Sequence, residues 1–434
     1  MTKPPPFRRD KILQTWLETA AADAALMNDF ETLCGFGGRM SGSGQDAAAM
    51  DWALSRLRPI APRLRQLQVP YDGWRCLRAE LTLDGKHLPV RALLRSANTP
   101  ASGLEADVVD MGQGRPEDFA RLGVAVRGKI VLVRHEFPFT GDHVHRRRKY
   151  DMAVQAGAAG FLIANNVPSQ GVLSGSSGRA RGAAGIPAAY TDFESARQLA
   201  AACAQGATRV RLLLQGEELP DAQAAVGVAE FPGGRDGIIV ISAHMDGHDL
   251  GVSALDNATG VATALAAARA LAQRVGPGTP SLRLCFFCAE EWALTGSARY
   301  LADMDPVERA RIKFDVNLDT VAGDMSLTAL ISEFPALAPV VDRAAASVGV
   351  SVGTWLPLMP NSDHANFARQ GIPALRLVAG FGKPDSRVNR ILSAGDVPGI
   401  IEEGELRQAV AVTCALVDQA LGMSDAELAA LAQR

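Results

Sequence analysis

Three apolar segments in the second half of the chain have the composition of buried β-strands. They comprise residues 238–241, 282–288 and 312–318, and acidic or imidazole side chains follow each of them closely. Continuous runs of β-branched and aromatic residues predict strands that are covered on both faces of a sheet. Because ligands of open α/β sheets bind beyond the carboxyl ends of the strands, the side chains that follow these runs are the first candidates for chemistry.

Metal binding is the chemistry that these side chains favour. Five of them follow the three apolar runs, and one precedes the helix predicted at residues 258–275. The six residues are His244, Asp246, Asp256, Glu290, Glu291 and Asp319. Nitrogen and carboxylate donors of this kind hold divalent ions. A single aspartate after a strand is more often a helix cap or a solvated loop residue. Three such strand ends together favour a metal site, and of the two adjacent glutamates one can bind metal while the other transfers a proton.

The order and spacing of these residues resemble the M28 zinc metallopeptidases over about half of the chain. The matching motifs are His244-x-Asp246, residues 256–260, Glu290-Glu291, residues 317–319 and residues 362–364. The resemblance implies that His244 and Asp319 bind one metal ion, that Glu291 binds another and that Asp256 bridges both. It also implies that Glu290 is the general base and that Asp246 orients the ring of His244. Zinc is the family's metal, as one or two ions, and manganese or cobalt also suits this donor set.

The chain departs from the family at the last metal ligand. The family has a histidine after the Ser-Asp-His motif, whereas the corresponding segment here, residues 389–396, has Leu392 at that position. No histidine follows His364, so a shift of the alignment does not restore the ligand. Three possibilities stay open. Either His248 or His364 substitutes, or water or substrate takes the position, or the protein works with one tightly bound ion.

Two domains are expected from the length of 434 residues. Residues 126–166 resemble a protease-associated (PA) domain, in which two buried strands flank a helix. We therefore predict a PA-like insert at residues 80–215 and a discontinuous metallopeptidase domain from residues 1–79 and 216–434. The alternation of strands and helices after residue 238 predicts an α/β fold with a mostly parallel sheet flanked by helices, as in zinc aminopeptidases. The insert is predicted to be a smaller, β-rich α/β domain.

A segment at residues 137–149 concentrates aromatic, histidine and arginine side chains. The spacing of His143 and His145 is compatible with a metal pair, and the run Arg146 to Arg148 with an anion-binding patch. The common explanation of such a segment is a solvated loop followed by the start of a helix. The alternative, by analogy with PA domains that wall a peptidase cleft, is that the loop overhangs the metal site and selects substrates through its arginines.

Net charge, cysteine positions and the absence of long apolar stretches in the sequence set expectations for partners and location. A net charge of −3 gives no reason to expect a nucleic-acid partner. The six cysteines are scattered and form no disulfide framework. The first 30 residues predict a proline-led start and an amphipathic helix rather than a signal peptide, and no apolar stretch is long enough to span a membrane. A cytoplasmic location is the simplest expectation, and the oligomeric state is unknown.

The predicted function is hydrolysis of a peptide or related amide bond by a metal-activated water, with Glu290 as general base. The expected substrate is a peptide or a small amide, of unknown identity and anchored end. One alternative is a catalytically silent binding protein on a peptidase fold, for which Leu392 is the argument. A glutaminyl-cyclase-like acyltransferase is a further alternative, but cyclases keep the histidine that Leu392 replaces.

Overall fold

The computed structural model describes residues 7–434 and contains two eight-stranded sheets. The proline-led start predicted at residues 1–6 lies outside the described residues. The strands β1 to β16 are, in chain order, Arg63–Pro70, Gly73–Leu83, Lys86–Leu88, Val90–Ala92, Leu104–Asp110, Ile130–Arg134, Gly160–Ala164, Ala188–Thr191, Arg209–Leu219, Gln223–Phe231, Ile238–His244, Ser281–Phe287, Ile312–Leu318, Leu327–Leu330, Val352–Trp355 and Ala374–Ala379. The α-helices α1 to α13 are Phe7–Ala21, Leu26–Gly35, Gln45–Leu57, Pro116–Leu122, Arg146–Gln155, Phe193–Gln205, Thr259–Leu271, Thr295–Ala302, Pro306–Ala310, Ala338–Ser347, His364–Arg369, Glu403–Gly422 and Asp425–Ala430.

The first sheet has the strand order β1-β10-β12-β11-β13-β16-β14-β15. Its four central strands, β12, β11, β13 and β16, are parallel to one another. Antiparallel pairing occurs where β10 joins β1 and β12, and where β14 joins β16. The predicted α/β fold with a largely parallel sheet is therefore confirmed, and the parallel strands are the apolar runs from which it was predicted.

Helices cover both faces of this sheet, which explains why β11 is buried along its whole length and apolar except at Ser242 and His244. Ile239 and Ile241 point into a cluster that includes α7 and α12. Ile238 and Val240 point into the opposite cluster with Tyr300 of α8 and Phe367 of α11. Alternate residues of a strand face opposite sides, so a strand between two helical layers needs apolar residues throughout. Within residues 7–434, no helix is both long and apolar enough to cross a membrane.

The second sheet has the order β3-β2-β9-β5-β6-β7-β8-β4 and is formed by residues 73–219. The first strand of the PA-like segment at residues 126–166 is β6, which begins at Ile130 rather than at residue 126. Val126 instead ends a 3-10 helix, and Gly128 then turns the chain with a φ of 72°. The domain division remains a prediction. The predicted boundaries at 79/80 and 215/216 fall inside β2 and β9, and the change of sheet favours residues 71–72 and 220–222 instead.

The loop that follows β11 is held by the segment between α2 and α3. The buried guanidinium of Arg39 donates hydrogen bonds to the carbonyl oxygens of Met245, Val252 and Ser253 at 3.1, 2.9 and 2.8 Å. The backbone N–H of His248 donates to Ser253 Oγ at 2.8 Å. Gly38 packs so closely on this loop that a Cβ there would lie 1.7 Å from the carbonyl oxygen of His248. The position of His248 is therefore fixed by its backbone.

Replacing Gly38 by alanine is expected to displace this loop and to destabilise the protein. The added methyl would meet backbone atoms that have no free space to move into, and overpacking of this kind costs on the order of 1–3 kcal/mol. Gly35 is the matched control, because a Cβ there meets nothing within 4 Å. Urea unfolding should show a lower free energy of unfolding for G38A and an unchanged or slightly higher one for G35A. Equal stability of the two variants would contradict the described packing.

Candidate metal centre

The predicted ligands meet at the carboxyl edge of three neighbouring parallel strands. His244 is the last residue of β11, Asp319 follows β13, and Glu290 and Glu291 follow β12 on the other side. Asp256 enters from the segment that leads into α7. All five side chains are buried. The strand order β12-β11-β13 thus converts three separate sequence motifs into one cluster.

Ligand atoms of this cluster are close enough to share metal ions. His244 Nε2 lies 3.0 Å from Asp256 Oδ1 and 3.7 Å from Asp319 Oδ2. In each of three groups, one ligand atom per residue lies within 4.8 Å of the others: His244 with Asp256 and Asp319, His244 with Glu290 and Glu291, and His248 with Asp256 and Glu291. Asp256 is common to the first and the third group, which is the arrangement of a bridging carboxylate.

His248 occupies the side of the cluster from which the family histidine is missing. Its Nε2 lies 2.5 Å from Glu291 Oε1. Leu392 lines the same cleft but offers no donor atom in its side chain. His364 is buried and belongs to none of the ligand groups found in the described part of the chain. Burial, reinforced by Arg376, lowers the pKa of His364 to about 3. Of the two candidate substitutes, only His248 is near Asp256 and Glu291.

The donor atoms of the cluster lack hydrogen-bond partners. His244 Nε2, both ring nitrogens of His248 and Glu291 Oε1 are buried and make no contact of hydrogen-bond geometry. Buried polar atoms are almost always satisfied, and leaving one unpaired costs about 1–3 kcal/mol. Divalent cations would satisfy His244 Nε2, one ring nitrogen of His248 and Glu291 Oε1, and imidazole with carboxylate is a donor set that suits zinc. The residues present therefore fit the metal that the motifs imply.

The buried acids of the cluster differ in the direction in which their pKa values are shifted. Burial and the neighbouring Glu291 raise the pKa of Glu290 well above the usual value of a glutamate. Burial opposes ionisation of Asp319 too, but Arg376 and His244 lower its pKa below the usual value. Arg376 Nη2 lies 3.0 Å from Asp319 Oδ1. Burial thus raises the proton affinity of Glu290, whereas Arg376 keeps Asp319 ionised.

Asp246 acts differently from the prediction. His244 Nδ1 lies 2.9 Å from the backbone carbonyl oxygen of Asp246, whereas the Asp246 carboxylate is 3.9 Å away. That carboxylate instead accepts the backbone N–H groups of Glu290 and Glu291 at 3.0 and 3.3 Å. The main chain of Asp246 therefore orients the histidine, and its side chain fixes the glutamate pair. The prediction that the carboxylate orients His244 is wrong, because these two amide groups take its oxygens.

Two buried residues of the site were not identified from the sequence. Arg376 lies in the apolar strand β16 and pairs with Asp319. Asp396 accepts the backbone N–H groups of Leu255 and Asp256 at 2.6 and 3.3 Å, and so holds the bridging aspartate. A lone arginine inside an apolar strand was the available signal for Arg376. Nothing local distinguishes Asp396 from an ordinary loop acid.

The loop at residues 137–149 does line the cleft, but its histidines do not form a metal pair. His143 Nδ1 lies 2.8 Å from the carbonyl oxygen of Thr140, and His145 caps α5 by accepting the N–H of Arg147 at 3.2 Å. Neither histidine belongs to a ligand group of the described residues. On the opposite side, the carbonyl oxygen of Leu392 accepts the N–H of Ser174 at 2.8 Å. The part of the chain that contains the second sheet thus forms one wall of the cleft.

Comparison with known proteins agrees with this geometry. Residues 227–417 match the sequence model of peptidase family M28, and residues 97–199 match that of the PA domain. The probable lipoprotein aminopeptidase LpqL of Mycobacterium tuberculosis is 28% identical over 377 residues, which cover 79% of this chain and 70% of LpqL. Leucine aminopeptidase 2 of Trichophyton rubrum is 26% identical over 287 residues, which cover 65% of this chain but only 54% of that protein.

Solved structures show the same fold. BSAP, a zinc aminopeptidase from Bacillus subtilis, superposes with a TM-score of 0.71 at 21% identity, covering 92% of this chain and 95% of that one. At this identity the likeness concerns the fold alone. The sequence matches go further, since a region similar to the PA domain precedes a region similar to peptidase family M28 along the chain.

Proposed function

We propose that the protein is a metal-dependent hydrolase of the aminopeptidase type, which cleaves peptide or related amide bonds. The observation that carries this proposal is the convergence of five buried side chains, in which ligand atoms of His244, His248 and Glu291 form no hydrogen bond within the described residues; the five are His244, Asp256, Asp319, His248 and Glu291. The names of the relatives support it, since LpqL and leucine aminopeptidase 2 are both aminopeptidases by name. Zinc is the proposed ion, and manganese or cobalt is an acceptable substitute.

Two ion sites are proposed, which share Asp256. His244 and Asp319 would complete one site, and His248 with Glu291 the other. A divalent ion in this cleft supplies Lewis-acid polarisation of the scissile carbonyl and lowers the pKa of a nearby water molecule. Arg376 keeps Asp319 ionised, and Asp396 holds the backbone at Asp256, so both carboxylates are ready to bind.

Glu290 is the proposed general base. Its carboxyl group makes no hydrogen bond with the residues described, and its backbone is fixed by Asp246. Burial raises its pKa, which brings a carboxyl group closer to the range where it exchanges protons at neutral pH. Glu290 would take a proton from the attacking water and pass it to the departing amine.

The two alternatives are less well supported. A silent binding protein would explain Leu392, but His248 stands where a ligand is needed, and the costly buried acids are all retained. An acyltransferase like the glutaminyl cyclases gains nothing specific from the cleft. A cytoplasmic location remains a prediction, and the relative LpqL is named as a lipoprotein.

The adjacent glutamates provide a test of the general base. We expect E290Q to lose about 10²–10⁴-fold in kcat, because the proton acceptor is removed, while keeping its metal content. E291Q is the matched comparison and should lose bound metal instead. Turnover of alanine and leucine dipeptides and elemental analysis of the dialysed proteins would measure both effects. Wild-type turnover by E290Q would contradict its role.

The two buried histidines test the second ion site. We expect the wild-type protein to bind two zinc ions, H248A to bind one tightly, and H364A to bind two. Titration against a chromogenic chelator gives the stoichiometry and the affinity of each site, and thermal melting shows whether each variant is folded. One ion in the wild-type protein, or equal loss in both variants, would contradict the assignment of His248.

A further inference from the structure

Arg147 presents an unpaired positive charge to the metal cleft. It lies in the first turn of α5 and lines the cleft together with Glu290, Glu291 and Asp319. Its guanidinium makes no hydrogen bond or ion pair with any residue in the described range 7–434, and its Nε is buried. Burial and the neighbouring Arg146 lower the pKa of Arg147 to about 10, so the side chain remains cationic at neutral pH. A desolvated cation without a counter-ion is costly, and an external anion would offset that cost.

No acid of the cleft forms a direct ion pair with Arg147 within the described residues, although Glu290 and Glu291 attract its charge at longer range. Asp319 is paired with Arg376, and Glu291 lies against His248. Asp256 contacts His244. Glu290 forms no ion pair with Arg147 within the described residues. The positive charge is thus available to a molecule that enters the cleft.

The neighbouring arginines differ from Arg147. Arg146 Nε donates a hydrogen bond to the carbonyl oxygen of Ser176 at 2.9 Å. The side chain of Arg146 therefore already has a partner within the protein. Arg148 is exposed and does not line the cleft. Arg147 is therefore the residue of this basic run that is both free and directed to the site.

The position of Arg147 is fixed by its surroundings. Its backbone N–H donates to His145 Nδ1, and its aliphatic stem packs on Gly178, where a Cβ would lie 2.9 Å from Arg147 Cδ. A side chain that is already ordered loses less entropy when it binds a ligand. The guanidinium group has the planar, forked geometry that matches a carboxylate.

We propose that Arg147 binds a carboxylate of the substrate close to the scissile bond, so that the preferred substrates are short peptides with a carboxylate at that position. This inference rests on the proposed peptidase function. Arg147 lines the same cleft as Glu290, Glu291 and Asp319, so a group that it binds lies close to the proposed metal ligands. The carboxylate therefore belongs to a residue near the cleaved bond. It is either the free α-carboxylate of a dipeptide or tripeptide or the side chain of an acidic residue.

Steady-state kinetics with matched dipeptides test this proposal. The zinc-loaded wild-type protein is compared with R147Q, R147K and the control R148Q on alanyl-alanine, alanyl-alaninamide and alanyl-glutamic acid α-amide. We expect the wild-type protein to prefer a carboxylate-bearing substrate by about 10- to 100-fold in kcat/KM, mainly through KM, as for a charge-assisted hydrogen bond. R147Q should lose this preference, R147K should keep part of it, and R148Q should keep all of it.

The arms of the experiment identify the carboxylate. A preference for alanyl-alanine alone indicates the α-carboxylate, and a preference for the glutamic acid amide indicates an acidic side chain. Equal rates on all three substrates in the wild-type protein, or an unchanged preference in R147Q, would overturn the proposal. Both results leave the peptidase function standing, because hydrolysis itself is retained.

If the protein cleaves no dipeptide, the peptidase function is contradicted, and binding measurements then test the role of Arg147 separately. Calorimetry would measure binding of alanyl-alanine and of alanyl-alaninamide to the zinc-loaded protein. Tighter binding of alanyl-alanine by about tenfold or more, lost in R147Q but not in R148Q, would still support Arg147 as the carboxylate site. Equal affinities would overturn it. Thermal melting of R147Q shows that any loss is not due to unfolding.

Discussion

The burial of several carboxyl groups and two imidazoles at one sheet edge is the constraint on which the rest of the structure depends. Removing charged groups from water costs several kcal/mol each unless they are paired or bind a cation. The protein therefore surrounds the cluster with fixed partners. Arg376 compensates Asp319, Asp396 holds the backbone at Asp256, and the Asp246 carboxylate holds the backbone of the glutamate pair. The arrangement is stable only if each of these partners stays in place.

The same constraint explains why the segment between α2 and α3 contacts the loop after β11. The loop after β11 must leave the strand, present His248 and return to Asp256 without regular secondary structure. Buried carbonyl groups need hydrogen-bond donors, and the guanidinium of Arg39 donates to three of the carbonyl groups in this loop. A residue more than 200 positions away in sequence thereby sets the geometry of the second ion site. Such long-range support follows from the fold and leaves no local mark in the sequence.

Much of the site was predictable because strand ends and motif spacing are local properties. The strands at residues 238–244 and 312–318, and the convergence of the acids after them, follow from apolar runs in a parallel sheet. The sequence left both His248 and His364 open as substitutes, because position along the chain does not show which of them lies near Glu291. It also gave Asp246 the wrong partner, since a carboxylate and its own backbone carbonyl are equally near His244 in the chain. Where a side chain points depends on which amide groups around it remain unsatisfied.

Leu392 has a structural role at the position where the family has a metal ligand. Its side chain joins the hydrophobic cluster, and its carbonyl oxygen accepts the N–H of Ser174 from the loop between β7 and β8. The segment therefore acts as a joint between the two halves of the molecule. A histidine at this position would place a polar ring in the hydrophobic cluster at this joint. A change of residue 392 would therefore alter the contact between the two halves of the molecule as well as the lining of the cleft.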